Sequence, residues 1–191
     1  DKLSLQFSLE DGKDSYSAPT TKGLHSTDLR SYGVDTAYTL SNNWKLTGYL
    51  NYGEQGQLVD HSGGYIADIN NTSTSFGFGA VGKLNAQIQV GGNLAYLDDR
   101  TKYGLGSGNT QAPGVLPDVT YKSFALKLFG KYALTAVADI QMDLIHQKIT
   151  FNEWTWGDAG VPFAYSDNST VAMQPSQNVT YLGVKYVYRF K

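Results

Sequence analysis

The stretch NVTYLGVKYVYRFK, residues 178–191, decides the fold class, because apolar and polar side chains alternate along it almost to the last residue. A strand with this period of two has one apolar face and one polar face. The apolar face of this predicted strand carries Leu182, Val184, Tyr186, Tyr188 and Phe190. A strand in this position leaves an edge that can pair with another strand.

The same alternation recurs along the whole chain of 191 residues, and helical periodicity is hard to find. Its 21 glycines, 14 tyrosines and only 5 prolines suit a β-rich protein. We therefore predict an all-β fold with about eight strands. The seven that precede the last one are expected at residues 2–10, 29–40, 43–53, 73–84, 86–97, 120–132 and from about 136.

The connections between these strands alternate strictly between short and long. The short ones are SNN at 41–43, the turn around Asn85 and ALT at 133–135, whereas the long ones span roughly 11–28, 53–72, 98–118 and 150–177. In an up-and-down meander, all short turns then lie at one end of the sheet. Outer-membrane barrels have short periplasmic turns and longer extracellular loops. We predict an antiparallel up-and-down transmembrane β-barrel, with residues 1–191 as a single domain.

Composition excludes several classes of function. The chain has no cysteine, which excludes disulfides, thiolate metal sites and the haem-attachment pattern C-x-x-C-H. A net charge of −2 gives no reason to expect a nucleic acid as partner. No G-x-S-x-G, H-E-x-x-H or P-loop pattern occurs, so we expect neither an enzyme nor a bound cofactor or metal.

The polar and aromatic side chains indicate which face would meet lipid. Tyrosine and tryptophan cluster near the strand ends, as in the two interfacial girdles of membrane barrels, although tyrosine is also a good strand residue in any sheet. A soluble barrel binding an apolar ligand remains an alternative, since it would bury the apolar face. The predicted girdle comprises Tyr32, Tyr38, Trp44, Tyr52, Tyr96 and Tyr132. The predicted lumen charges are Asp35, Lys45, Lys83, Lys127, Lys131, Asp139 and Asp143.

The C-terminal strand resembles the signal that the bacterial barrel-assembly machinery reads. That signal is a polar or aromatic residue, a glycine two positions later, and then hydrophobic or aromatic residues at alternate positions. The matching residues here are Tyr181, Gly183, Tyr186, Tyr188 and Phe190, and Lys191 follows the phenylalanine that usually comes last. The resemblance implies location in the Gram-negative outer membrane, with its lipid and the assembly machinery as partners.

A wider resemblance covers residues 152–191. The residues that carry it are Asn152, Glu153, Trp154, Trp156, SDNSTV at 166–171, Gln177, Asn178, Val179 and the final strand. This segment resembles the C-terminal part of the MtrB/PioB family of decahaem-associated outer-membrane proteins. The resemblance implies a barrel that sheaths a multihaem c-type cytochrome and so supports electron transfer across the outer membrane. The haems would belong to the partner.

Chain length leaves two alternatives within the membrane interpretation. Eight strands make a barrel whose interior is just filled by side chains, so a cytochrome could not pass through it. The chain is then either the C-terminal portion of a larger sheath or a small stand-alone barrel that acts through its loops as an anchor or adhesin. Trp154 and Trp156 could contact a partner, because exposed tryptophans often anchor interfaces, or could lie in the outer girdle.

Overall fold

The computed structural model describes residues 2–17, 23–60, 66–105, 117–152, 163–164, 166–171 and 176–190. Eight of its strands form one antiparallel sheet in the order β1-β2-β3-β4-β5-β6-β7-β10, which confirms the up-and-down meander. No helix in these ranges is long and apolar enough to cross a membrane. The strands are β1 Leu3–Ser15, β2 Gly23–Ser41, β3 Trp44–Asp60, β4 Ile66–Lys83, β5 Ile88–Leu105, β6 Val119–Ala133, β7 Ala138–Asn152, β8 Phe163–Ala164, β9 Thr170–Val171 and β10 Ser176–Tyr188.

The sheet is open. β1 and β10 form its two edges, and within the described residues neither pairs with the other. The eight strands therefore do not close into a barrel by themselves here. Each edge leaves a row of backbone amide and carbonyl groups that a further strand could pair with.

Polar side chains close the three short turns that the sequence predicts. Asn85 Oδ1 accepts hydrogen bonds from the backbone amides of Gln87 and Ile88, both at 2.8 Å. In the other two turns, Ser41 Oγ accepts from the Asn43 amide at 3.2 Å, and Thr135 Oγ1 accepts from the Val137 amide at 3.3 Å. Short Asn, Ser and Thr side chains take this role because they replace a backbone acceptor within the turn.

The long connections are shorter than predicted, which corrects the expected loops at 11–28, 53–72 and 98–118. β1 continues to Ser15, β2 already begins at Gly23, and β3 and β5 continue to Asp60 and Leu105. The reason is that these extensions are mostly polar on both faces and their few apolar residues, such as the adjacent Leu58 and Val59, do not alternate, so the apolar pattern stops before the backbone hydrogen bonding does. A pattern search that relies on apolar residues therefore ends each strand too early.

The predicted 150–177 connection also contains regular structure. β7 continues to Asn152, and β8 pairs with β9 in a small antiparallel hairpin separate from the main sheet. Asn168 lies in the hairpin turn with a φ of 67°, a left-handed conformation that asparagine tolerates better than most residues. Asp167 Oδ1 accepts hydrogen bonds from the Ser169 amide at 2.9 Å and from the Ser169 hydroxyl at 2.6 Å.

Strand register sorts the side chains onto two faces. The row of cross-strand neighbours on one face is Leu3, Tyr38, Leu46, Ala80, Gly92, Leu128, Leu144 and Leu182. The adjacent row on the other face is Ser4, Ala37, Thr47, Gly79, Asn93, Lys127, Ile145 and Tyr181. We call these the apolar face and the polar face.

Within the ranges given above, no second layer covers the apolar face. Among the described residues, Ala138 is the only hydrophobic residue that is buried. Large side chains on the apolar face stay in contact with the surroundings: Phe7 is 77% exposed and Val184 is 68% exposed. A water-soluble domain would cover such a surface with a second layer of structure. The sheet is built for surroundings that are themselves apolar.

Candidate membrane-spanning surface

Apolar residues on the apolar face form a band of limited height. In β2 the band runs from Tyr32 to Leu40, and in β3 from Trp44 to Tyr52. Eight residue steps at about 3.4 Å give roughly 27 Å along the strand. A strand tilted by about 30° would then cross roughly 23 Å, close to the ~25 Å apolar band of outer-membrane barrels.

The tilt of the strands can be measured from the position of the band on successive strands. At the end nearest the long connections, the last apolar residue of the band is Leu9 in β1 and Leu182 in β10. Leu182 lies in the same cross-strand row as Leu3, which comes six residues before Leu9. The band thus shifts by six residues over the seven strand-to-strand steps. With about 3.4 Å per residue and ~4.8 Å between strands, the strands tilt by roughly 30° from the normal to the band. Membrane barrel strands tilt by ~35–45°.

All six predicted girdle residues lie on the apolar face, at the two ends of the band. Tyr38, Trp44 and Tyr132 lie at the short-turn end, and the other three lie at the long-loop end. Tyr32 and Tyr52 are cross-strand neighbours. Tyr96 packs on Phe76 with ring centroids 5.3 Å apart.

Two tyrosines at the long-loop end point their hydroxyl groups away from the band. Tyr52 donates a hydrogen bond to Glu54, and Tyr96 donates one to Asp98 Oδ2 at 3.4 Å. Each acceptor lies two residues further along the same strand and on the same face. The ring therefore borders the band and the hydroxyl meets polar groups, which is how tyrosine sits at a membrane–water interface.

Beyond these tyrosines the apolar face becomes charged, and the sequence reading missed this. We call the set of Asp11, Lys13, Asp28, Arg30, Glu54, Asp98, Arg100, Lys102 and Lys122 the charged belt. Three of its ion pairs join direct cross-strand neighbours: Arg30 Nε to Asp11 Oδ1 at 3.2 Å, Lys13 Nζ to Asp28 Oδ1 at 3.2 Å, and Lys122 Nζ to Asp98 Oδ2 at 3.1 Å. The hydrogen bond to Asp11 raises the pKa of Arg30 above its usual value.

A signal for the charged belt is present in the sequence. The spacing of two that sets the apolar face continues past the last apolar residue, from Leu9 to Asp11 and from Tyr52 to Glu54. Seven of the nine charged-belt residues fall in segments predicted to be loops, whereas Arg30 and Lys122 lie in predicted strands. Because the charged-belt residues continue the two-residue spacing of the apolar face, they can be identified once the strands are extended.

The seven predicted lumen charges all lie on the polar face. Lys131 Nζ and Asp139 Oδ2 are 3.1 Å apart, and Asp143 accepts hydrogen bonds from Gln141 Nε2 at 2.8 and 3.0 Å. Across the described ranges, the remaining four make no ion pair within 4.0 Å: Asp35, Lys45, Lys83 and Lys127. Their assignment to a lumen stays a prediction.

The charge cluster near the short turns includes one residue absent from the predicted set. Arg189, just after β10, donates a hydrogen bond to Asp139 Oδ2 and so joins Lys131 at the same carboxylate. Asp139 is only 4% exposed. The cluster ties the residue after the last strand to β7, and the Arg189 amide also donates to the Val137 carbonyl at 2.8 Å.

Residues of the predicted assembly signal occupy both faces of β10, and Phe190 lies two positions beyond its end. Tyr181 and Gly183 are on the polar face, where the Tyr181 ring lies over the glycine, and a Cβ on Gly183 would come within 2.7 Å of it. Tyr186, Tyr188 and Phe190 follow on the apolar face, and the Tyr188 and Phe190 rings meet edge to face at 4.9 Å. A role in assembly remains a prediction, and Lys191 lies outside the described residues.

The same arrangement of a ring over a glycine recurs inside the sheet. Cross-strand neighbours pair Trp44 with Gly82, Tyr49 with Gly77 and Phe129 with Gly91, and in each pair the ring occupies the space of a missing Cβ. Such packing covers a glycine that would otherwise weaken its strand.

The remaining predicted contacts lie elsewhere. Trp154 and Trp156 fall outside the described residues, so their role as partner contacts stays a prediction. In the part of the chain that the structure describes, no group of three or more His, Asp or Glu side chains could hold a metal ion.

Comparison with known proteins supplies the family. A search of curated proteins found no match. A family described as "Putative outer membrane beta-barrel porin, MtrB/PioB" matches residues 1–190, far beyond the segment 152–191 that carries the resemblance in the sequence. This is a family of porin-like barrels and not of enzymes, and its location in the outer membrane makes the apolar face the lipid-facing one. With its meander, tilted apolar band and tyrosine borders, the chain belongs to the MtrB/PioB family of outer-membrane β-barrel porins.

Proposed function

We propose that this sheet is one part of a wide barrel that insulates a multihaem c-type cytochrome in the outer membrane, so that electrons cross between periplasm and cell exterior. The observation that carries the proposal is that β1 and β10 are edge strands with no further partner strand among the described residues, which leaves room for additional strands. The function of the chain is structural, and the redox groups belong to the cytochrome.

The polar face supports a wide interior. In a narrow eight-stranded barrel the lumen is filled by side chains, and its charges would have to pair. Asp35, Lys45, Lys83 and Lys127 have no ion pair among the described residues. Unpaired charges suit a wetted lumen or the polar surface of a protein held inside it.

A second candidate is a stand-alone eight-stranded barrel that acts through its extracellular part. The six-residue shift of the apolar band is compatible with it, because eight strands tilted by about 36° close with a shear of ~8. The extended ends of β3 and β5 would then carry the loops of an anchor or adhesin. Barrel width distinguishes the two candidates.

The barrel-assembly machinery is a further proposed partner. The free edge of β10, with its alternating Tyr186, Tyr188 and Phe190, has the form of a strand that pairs with another sheet edge during insertion.

Electron transfer across intact outer-membrane vesicles tests the main proposal. Vesicles from cells that make the full-length protein and from cells that lack it are loaded with a reduced dye, and an external ferric acceptor is added. We expect dye oxidation to be lost without the protein and to return when detergent opens the vesicles, because the cytochromes themselves remain. Equal dye oxidation in both kinds of intact vesicle would contradict the proposal.

A further inference from the structure

A polar cavity of about 1090 Å³ lies on the apolar face, beyond the band at its long-loop end. Its lining comes from β1 to β5 and includes Tyr96 at the border of the band. Eight of the other sixteen lining residues belong to the charged belt, and Gly56, Asn70, Thr72 and Thr74 lie on the same face. The remaining four are on the polar face at the edge of the cavity: Gly12, Leu29, Gln55 and Asn71. The cavity therefore opens on the outside of the barrel, just past the lipid.

One corner of this cavity combines two cations with two neutral hydrogen-bonding groups. Arg100 and Lys102 lie two residues apart on β5, so both are on the same face, and their cross-strand neighbours on β4 are Thr72 and Asn70. Directly opposed side chains in a sheet have Cβ atoms about 4.5–5.5 Å apart. We call these four residues the phosphate corner.

The donors of this corner are largely unused. Among the described residues, Lys102 has no carboxylate within 4.0 Å, and Arg100 has one at 3.7 Å, from its Nε to Asp118 Oδ2. The side chains of Asn70 and Thr72 make no hydrogen bond in the same ranges. A guanidinium has five donors in a planar fork that fits a phosphate, and an ammonium adds a second positive charge.

The position of the phosphate corner along the membrane normal determines which ligands can bind there. Interfacial tyrosines lie at the level of the lipid headgroups. Arg100 is four residues beyond Tyr96 on the same strand and face, so its guanidinium projects where headgroups of the outer leaflet lie. Carboxylates in the same cavity, such as Glu54 and Asp98, are acceptors for sugar hydroxyl groups.

We propose that the cavity binds the phosphorylated sugar headgroup of an outer-leaflet glycolipid, with its phosphate in the phosphate corner. The cavity is far larger than a phosphate alone, and its mixed donors and acceptors fit a sugar that carries several hydroxyl groups. The acyl chains of such a lipid would lie along the apolar band below Tyr96.

Retained lipid on the full-length protein tests the proposal. The wild type and an Arg100→Gln/Lys102→Gln variant are extracted from the outer membrane, stripped of lipid and placed in phosphatidylcholine vesicles containing bis-phosphorylated lipid A. Native mass spectrometry then counts the lipid A molecules that stay bound. We expect the variant to lose affinity about tenfold or more, since each removed group makes charge-assisted hydrogen bonds.

A matched control is Lys127→Gln, which removes a lysine from the polar face of the neighbouring strand and should leave lipid A binding unchanged. The folded fraction of each variant is measured on unheated gels, where the folded protein migrates differently from the heated, unfolded protein. Several results would overturn the proposal: full retention by the double variant, equal retention of phosphatidylglycerol by the wild type, or displacement of lipid A by inorganic phosphate at millimolar concentration.

Discussion

At the residue scale, several glycines of the sheet are covered by aromatic rings. Gly77 is buried beneath Tyr49, and a Cβ there would lie 2.8 Å from Tyr49 Cζ and 3.0 Å from the Leu94 carbonyl oxygen. The ring could turn away, but the carbonyl is fixed in the sheet. The close approach of two strands and a ring requires a residue without a side chain.

Replacement of this glycine has a predictable cost. We expect Gly77→Ala to lower the free energy of unfolding by about 1–3 kcal/mol, as overpacking does elsewhere. Gly130→Ala is the matched control, because no atom lies within 4 Å of its added Cβ. Urea titration of the folded protein in detergent measures both. Equal urea midpoints for the two variants would contradict this, because they would show that the Tyr49 ring and the Leu94 carbonyl move aside without lowering the free energy of unfolding.

The carboxylate of Asp139 gives a second residue-scale prediction. Asp139→Asn leaves Lys131 and Arg189 facing each other without their shared negative charge. We expect a lower unfolding temperature, measured by the loss of the compact band on unheated gels, and partial recovery when Arg189→Gln is added. Asp143→Asn is the control, because Asp143 hydrogen-bonds to a neutral amide, Gln141. A variant as stable as the wild type would exclude a structural role for the cluster.

At the residue scale, the sequence predicted the face on which a side chain lies better than it predicted which residues that side chain contacts. The parity of Lys131 and Asp139 placed both on the polar face, but nothing in the sequence paired Arg189 with them, because that contact joins residues 50 positions apart. The ring-over-glycine pairs were missed for the same reason. They depend on the register between two strands, which local alternation does not determine.

At the scale of the element, the strands are longer than the membrane is thick. β3 spans Trp44–Asp60, but its apolar band ends at Tyr52. The sequence predicted the part in lipid well, because lipid requires an apolar residue at every second position. It could not predict the remainder of the strand, where water touches both faces and the sheet is held by backbone pairing and by cross-strand ion pairs between charged side chains.

Cysteine labelling checks where the band ends, and the absence of native cysteine makes it simple. Leu50 and Glu54 lie on the same face of β3, on opposite sides of Tyr52. In lipid vesicles, we expect a water-soluble maleimide to label Glu54→Cys rapidly and Leu50→Cys much more slowly. Unfolded samples of both variants serve as the reference for full reactivity. Similar rates in the folded state would mean that the band is not covered by lipid.

At the scale of the whole molecule, the sequence predicted the meander of eight strands but left open whether it closes. Eight strands fit either a small closed barrel or the C-terminal portion of a larger sheath, and within the described residues β1 and β10 lie on opposite edges. Strand count alone does not decide closure, because the same tilt and stagger occur in narrow and wide barrels. In the wide barrel that we propose, further strands separate β1 from β10 and enclose a cytochrome.

The distance between the two edges tests that claim most directly. Spin labels on Leu5→Cys in β1 and Val184→Cys in β10 report it by double electron–electron resonance, with the full-length protein in its outer membrane. The seven strand-to-strand steps of the sheet span about 34 Å, so the wide barrel predicts a distance above roughly 30 Å. A distance below about 20 Å would mean that β1 and β10 pair directly, and the narrow barrel that results would have no room for a cytochrome.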